Sequence, residues 1–487
     1  MFRRRLQWLA PGLAIKRWVF LMALGIACLL VGVALVANLQ PVNTAIQWIR
    51  EVAAIVPSYI SGPVFLLLGM IVFRLGINRS VGTLKTALAV QGNDSLLEKL
   101  IRQHKLARGP KIVALGGGTG LSTLLRGLKH YSSNITAVVS VGDDGGSSGR
   151  LRTEHGIIPP GDIRNCLAAL ADEEHLITEL FQYRFKSGQG LEGHSFGNLF
   201  LTAMCRVTGD MVSAIKESSN VLNIRGRVLP ATLDNICLIA DMEDGSSVRG
   251  ESQIPEAQGH ILLLRCEPEA PEALPEVLQA IQAADLIILG PGSLYTSVIP
   301  PLLVPEIAKA IVRRNAPKLY VCNIVTQPGE TDGYSVADHA QAILRNVASS
   351  ILHMPGSKGL LSGVIANKSH LPPELIEKYR AVNAQPVTAD ANRLKDLNLT
   401  LIEGALIDPA EQSSLRHHSK NLARVIMQWF RQAHPGWYKH KVLDELLSDS
   451  EAVMLGNNAS CDSLSTPNAL QSESASAAAE PVRDKVF

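Results

Sequence analysis

Short β-branched runs, each handing over to a glycine-rich loop and then to a helical stretch, constrain this chain more than any other feature. KIVAL (111–115) runs into Gly116-Gly117-Gly118-Thr119-Gly120 and then LSTLLRGLKHY. ITAVVSV (135–141) runs into Gly142-Asp143-Asp144-Gly145-Gly146-Ser147-Ser148-Gly149. LIILG (286–290) and LYVCNIV (319–325) repeat the pattern, and helical stretches fall at 121–131, 163–170, 197–208 and 338–348. Such alternation predicts an α/β fold, a mostly parallel sheet with helices on both faces. Strands covered on both faces need to be apolar throughout, as these are. One hairpin interrupts, in NICLIADMEDGSSVRGESQI, where Asp244-Gly245 separates two alternating runs.

The ends read differently. Residues 19–37 and 53–73 carry no charge, and each is long enough to cross about 30 Å of hydrocarbon. They predict a transmembrane hairpin within residues 1–77, although Pro57 and Pro63 break up the second run. Arg3, Arg4, Arg5, Lys16 and Arg17 precede the first span, and Arg74, Arg79 and Lys85 follow the second. The positive-inside bias then places both termini and the body on the cytoplasmic face of the inner membrane. Residues 78–110 read as a juxtamembrane linker holding a short amphipathic helix around Leu96, Leu97, Leu100 and Ile101. Residues 111–447 form the main domain. Residues 448–487, rich in Ser, Ala and Asn, read as a disordered tail.

Composition narrows the function classes. Lys and Arg total 46 against 44 Asp and Glu, and aromatics are 5%, which argues against a nucleic-acid partner. Seven cysteines without a CxxC pair fit a reducing compartment.

In open α/β sheets ligands bind beyond the carboxyl ends of the strands. There, Gly117, Gly118, Thr119 and Gly120 offer backbone N–H groups and a helix N-terminus to an anion. The spacing matches neither GxGxxG nor GxxxxGK[ST]. Asp143 and Asp144 suit ribose hydroxyls or Mg²⁺ against a diphosphate, and Ser147 and Ser148 extend a second anion nest. Within PPGDIRN, Asp162 reads as an N-cap, Arg164 as a phosphate fork, and Asn165 stands beside it. GHSFGN brings His194, Ser195, Gly197 and Asn198 to a helix start. His194 is either a ligand contact, a general acid or a structural hydrogen-bonding residue. Gly292 and Ser293 follow LIILG, and Thr326-Gln327-Pro328-Gly329-Glu330-Thr331 follows LYVCNIV. Loops of this kind at one edge describe a site for a phosphorylated polar ligand.

ALGGGTGLSTLLRGLK, SVGDDGGSSGRLR, PPGDIRNCLAAL, GHSFGNLFL, LGPGSLYTSVIPPLL and NIVTQPGETDGYS closely resemble the bacterial gluconeogenesis factor family, in order across residues 111–447. That family binds UDP-sugars such as UDP-N-acetylglucosamine and is related to the 2-phospho-L-lactate transferase that acts on a deazaflavin. The resemblance implies a Rossmann-like body, a role in cell shape and carbon-source adaptation, and a regulator with no firm cofactor or catalytic residue. It makes Gly117, Gly118, Thr119 and Gly120 phosphate-side contacts. Asp143 and Asp144 match an acidic pair near metal and acceptor in the transferases, and His194, Ser195, Gly197 and Asn198 line the nucleotide cleft. The hairpin departs from soluble members and looks like the longer cyanobacterial form. Cell-wall synthesis proteins and a second copy of the chain are the partners this reading allows. The alternative is an enzyme of the 2-phospho-L-lactate transferase type, using Mg²⁺ held by Asp143 or Asp144.

Overall fold

The computed structural model describes residues 96–172, 174–351, 359–407 and 415–433, with Thr44, Gln47, Trp48, Glu51, Leu443, Asp444 and Leu447 besides. Spans 19–37 and 53–73 and the tail 448–487 lie outside the described residues. Among the described residues, no helix is long and apolar enough to cross a membrane. Apart from the isolated positions near the N-terminus, what is described belongs to one compact unit beginning at Leu97.

Its frame is a seven-stranded sheet. In chain order the strands are β1 (Ile112–Gly116), β2 (Ile135–Val139), β3 (Arg227–Pro230), β7 (Leu286–Leu289), β8 (Lys318–Val321), β9 (Gly363–Asn367) and β10 (Thr400–Gly404). A separate three-stranded antiparallel sheet holds β4 (Cys237–Met242), β5 (Ser247–Arg249) and β6 (Ile261–Glu267). The large sheet runs β10-β9-β8-β7-β1-β2-β3, and every adjacent pair in it is parallel. The hairpin foreseen around Asp244-Gly245 is β4–β5, paired antiparallel, and Gly245 takes the φ of +86° its turn requires.

Parallel strands need crossover connections, and these are right-handed almost without exception. The chain therefore lays helices on both faces. Numbered in chain order, the helices are α1 (Leu96–Ala107), α2 (Gly118–Leu128), α3 (Gly146–His155), α4 (Gly161–Leu170), α5 (Glu174–Gln182), α6 (Phe196–Thr208), α7 (Met211–Val221), α8 (Pro275–Ala283), α9 (Pro305–Arg313), α10 (Val336–Ser350), α11 (Pro373–Arg380), α12 (Ala391–Asp396) and α13 (Ser419–Ala433). α2 packs between α4 and α13 on one face, while α8 and α9 pack together. β1 and β2 are buried along their whole length, as their unbroken apolar runs require.

One element differs from the sequence reading, and the helix of the connector docks on the body. The run after Asp144 is a loop only as far as Gly145; from Gly146 it is helical, its first turn closed by Gly149 N–H donating to Gly145 O. α1 ends against the body: Leu106 is buried, and the carbonyls of Leu106 and Ala107 accept from Ser133 N–H and the Asn134 side chain.

α2 and α13 meet without a side chain between them at Gly127, where a Cβ would overlap the Ser419 carbonyl. Gly127→Ala should cost about 1–3 kcal/mol of unfolding free energy, the usual penalty of overpacking. Chemical denaturation checks the loss, and hydrogen exchange should show it concentrated in α13.

Candidate functional site

Strand order reverses at β1: the chain builds outward to β2 and β3, then returns to lay β7 on the opposite side. In open α/β sheets, ligands bind beyond the carboxyl ends of the strands at such a reversal. The loop after β1 and the loop after β7 meet there. A side chain at Gly120 would overlap the carbonyl of Pro291, so only glycine lets the two backbones touch. Asn323, just beyond β8, grips the second loop at two points: it accepts from Gly292 N–H at 3.1 Å and donates to Gly292 O at 2.8 Å. Gly292 itself has φ +146°.

Glu330 fixes the adjoining helical turn, Leu294–Val298. Its carboxylate accepts from Tyr295 N–H at 3.0 Å, the Thr296 hydroxyl at 3.1 Å and the Gln327 amide at 2.8 Å. An acid from one loop thus caps the helical turn of another. On the far side of that turn, Ser297 lies under Gly117, about 2.5 Å from where a Cβ would stand.

α4 supplies the floor of the first loop. The Asp162 carboxyl accepts from Gly118 N–H, and Asn165 lies against the same glycine. Asp162 is therefore not the N-cap that its position suggested. Pro160 occupies that place, and no side chain caps the helix.

The acidic pair divides its labour. Asp143 accepts from Gly145 N–H and lies with Ser148 against Gly161. Asp144 turns away and takes the backbone N–H groups of Glu251 at 2.9 Å and Ser252 at 3.0 Å. It thereby ties the loop after β5 to the site and brings in the Glu251 carboxyl. Each Asp144 oxygen accepts from one of those amides. Among the described residues no group of three or more His, Cys, Asp or Glu side chains is arranged to hold a metal ion.

Burial makes these acids costly to ionise. It pushes Asp162 up to about 7, with Asp143 adding to the shift. It pushes Glu251 up to about 8, reinforced by Asp143, Asp162, Asp144 and Glu330, and Glu330 up to about 7.

Arg164 is buried, and its donors face inward: to Ser195 Oγ at 2.5 Å, Asn198 Oδ1 at 3.1 Å and Asn165 Oδ1 at 2.9 Å. Burial, then Arg184, lowers it to about 10. The sequence marked it as a phosphate fork, but its bonds knit α4 to the start of α6. Asn198 donates to Ser147 Oγ at 3.0 Å, and Ser147 lies 2.9 Å from His194 Nδ1. Ser195 is the N-cap of α6. Gly197 admits the Arg164 stem, with Cδ 2.7 Å from where a Cβ would stand.

The loops at 116–120, 142–149, 160–165 and 290–297 thus lie together. Thr119 is exposed, and its carbonyl accepts from Ser122 and Thr123. Ser293 precedes the helical turn, and its carbonyl accepts from Ser297 and Val298. Glu251, Asn323 and Ser297 escaped the sequence reading, while Asp162 entered it only as a helix cap and Glu330 only as part of the TQPGET loop beyond β8.

A family model described as 2-phospho-L-lactate transferase CofD matches residues 112–407. A gluconeogenesis factor homologue of Nostoc sp. strain PCC 7120 is 48% identical over 434 residues, 88% of this chain and 93% of its own. The chain belongs to the gluconeogenesis factor family. The "Gluconeogenesis factor" of Bacillus subtilis is 46% identical over 327 residues, 67% of this chain and all of its own. A crystal structure of a Bacillus halodurans protein superposes with a TM-score of 0.62 at 46% identity, covering 66% of this chain and 99% of that one. In this gluconeogenesis factor homologue the Rossmann-like, mostly parallel body stands as described.

The raised acids give the site a pH signature. The folded state holds their protons more tightly than the unfolded chain, so the stability they contribute is complete below about pH 4 and is lost as pH rises through about 7 to 8. His130 and His417, lowered to about 4 by burial, oppose this only below about pH 6.5. Unfolding free energy should therefore fall between pH 6.5 and 8.5. Glu251→Gln should flatten that fall and stabilise the chain at pH 8.5 by about 2 kcal/mol, read by denaturant titration at the two pH values.

Proposed function

We infer that this chain is a membrane-anchored, UDP-sugar-binding regulator, with UDP-N-acetylglucosamine as the model ligand, that links carbon metabolism to cell-wall synthesis and cell shape. The observation that carries the reading is the meeting of three glycine-bearing loops at the switch point, with Gly117 and Gly118 too crowded by Asp162 and Ser297 to bear side chains. Backbone amides of such loops suit a diphosphate, and the surrounding carboxyls suit sugar and ribose hydroxyls. The family membership supports the same ligand class. A binding role rather than turnover is supported by how fully the polar side chains are engaged with the fold itself, as at Asp144 and Glu330.

Calorimetry on the purified chain should give a Kd for UDP-N-acetylglucosamine below about 1 mM, a binding free energy beyond about 4 kcal/mol. Gly118→Ala, whose Cβ would overlap the Asp162 carboxyl, should abolish the heat without unfolding the chain. Absence of heat with the unaltered protein at millimolar ligand sinks the reading.

The second reading is a transferase of the 2-phospho-L-lactate type. One feature favours it: Asp162, pushed up to about 7 beside the first glycine loop, is poised as a general base for an acceptor hydroxyl. Product formed from a deazaflavin and an activated donor, and lost in Asp162→Asn with binding intact, would select the enzyme.

Anchoring is supported by the uncharged runs 19–37 and 53–73, and the basic flanks favour a body at the cytoplasmic face of the inner membrane. The chain should stay with the membrane pellet through an alkaline carbonate wash, and a chain lacking residues 1–77 should not. Recovery of the full chain in the wash would refute the anchor.

A further inference from the structure

Hydrogen-bond polarity runs in one direction along four side chains that join α4, α6, α3 and the loop before α6. Arg164 has donors only. Its Nη1 lies 3.1 Å from one amide atom of Asn198, so that atom must be the oxygen, and the Asn198 nitrogen must face the other way. It faces Ser147 Oγ at 3.0 Å and Ser148 Oγ at 3.4 Å. Ser147 therefore receives a proton from Asn198, and its own hydroxyl proton needs an acceptor. Among the described residues the other partner of Ser147 Oγ is His194 Nδ1, at 2.9 Å. Were Nδ1 protonated, two donors would converge on the serine oxygen and its proton would be stranded in a buried place, Ser147 being 5% exposed and His194 3%. Polarity thus passes from Arg164 through Asn198 and Ser147 and ends on a bare Nδ1.

We propose that the Arg164–Asn198–Ser147 relay fixes His194 as the neutral Nε2–H tautomer, making it a permanent hydrogen-bond donor to an anionic oxygen of the bound ligand. The ring lies beside the first turn of α3, whose leading N–H groups lack intrahelical partners and whose N-cap, Gly145, has no side chain to satisfy them. Nε2 makes no hydrogen bond to the described residues, which leaves its N–H for a ligand oxygen. Burial, then Arg150, holds the imidazole below its ordinary value, so the ring is neutral near pH 7. His194 is in this assignment a ligand contact and not a general acid. The donor role rests on the nucleotide-sugar reading above; the tautomer does not.

Long-range ¹H–¹⁵N spectra of the full chain labelled with ¹⁵N-histidine report the tautomer, with the His194 signals identified by their absence in His194→Gln. Nε2–H should be seen near pH 7.5. Asn198→Asp reverses the relay: the new carboxylate still accepts from Arg164 but takes the Ser147 proton, so the serine becomes the acceptor and His194 should switch to Nδ1–H. If that variant does not fold, Ser147→Ala cuts the relay at its last link and should leave a mixture of tautomers. An Nδ1–H or doubly protonated ring in the unaltered protein, or an unchanged tautomer in the variants, overturns the assignment. Calorimetry then tests the donor role. His194→Ala should weaken UDP-N-acetylglucosamine binding about tenfold or more, the worth of one hydrogen bond to a charged oxygen. His194→Gln, whose amide N–H reaches the position of Nε2, should recover most of it, and equal losses in both variants would refute the role. No binding by the unaltered chain would end the nucleotide-sugar reading and the donor role together, while the spectra would judge the tautomer separately.

Discussion

Everything at the carboxyl edge depends on two backbones touching. Gly120 sits against the Pro291 carbonyl with no room for a Cβ, and this contact joins the loop after β1 to the loop after β7 at the place where strand order reverses. A side chain there would wedge the halves apart and move the amides of both loops. The rest of the site reads as reinforcement of that contact: Asn323 holds Gly292 from one side, and Asp162 holds Gly118 from the other. Each brace is a polar side chain on a backbone group, directional enough to fix a loop that apolar packing alone would leave to slide.

The small antiparallel sheet has its place in the same scheme. Asp144 pins the loop after β5 by the amides of Glu251 and Ser252. The carbonyl of Pro255 crowds Gly329, which takes φ +79°. The loop is therefore held at both ends, by the segment after β2 and by the segment after β8. This is how Glu251, remote in sequence from both, comes to share an electrostatic environment with Asp143, Asp162 and Glu330.

The sheet was legible because its central strands are unbroken apolar runs, and burial on both faces leaves no other sequence for them. The edges were less so: β10 is half exposed and β3 begins on an exposed residue and ends on Pro230, so an unbroken apolar run does not mark them. At the site, sequence located the loops but not the direction of their side chains. Asp162 was read from local capping rules, yet its carboxyl turned to Gly118 while Pro160 took the cap. Arg164 was read as facing a ligand, yet α6 offered Ser195 and Asn198 within the fold. Asn323 and Glu330 act only on backbone brought near by crossover connections, a tertiary relation that no local window contains. Side-chain direction in such loops depends on partners that the fold brings in from other segments.

Polarity and cost then converge on the same inference about design. A fold selected for stability alone would not bury Asp162, Glu251 and Glu330, all three raised by burial, with Asp143 adding to the shift at Asp162 and several neighbouring carboxyls adding to it at Glu251. At Glu251 a neutral amide would relieve that cost. Nor would it spend a buried Arg164, lacking an ion-pair partner among the described residues, on orienting an asparagine. The ligand proposed above would account for both features: its hydroxyls would share protons with the acids, and an anionic oxygen would accept from His194. Binding would then offset the cost that burial of these groups imposes on the free protein.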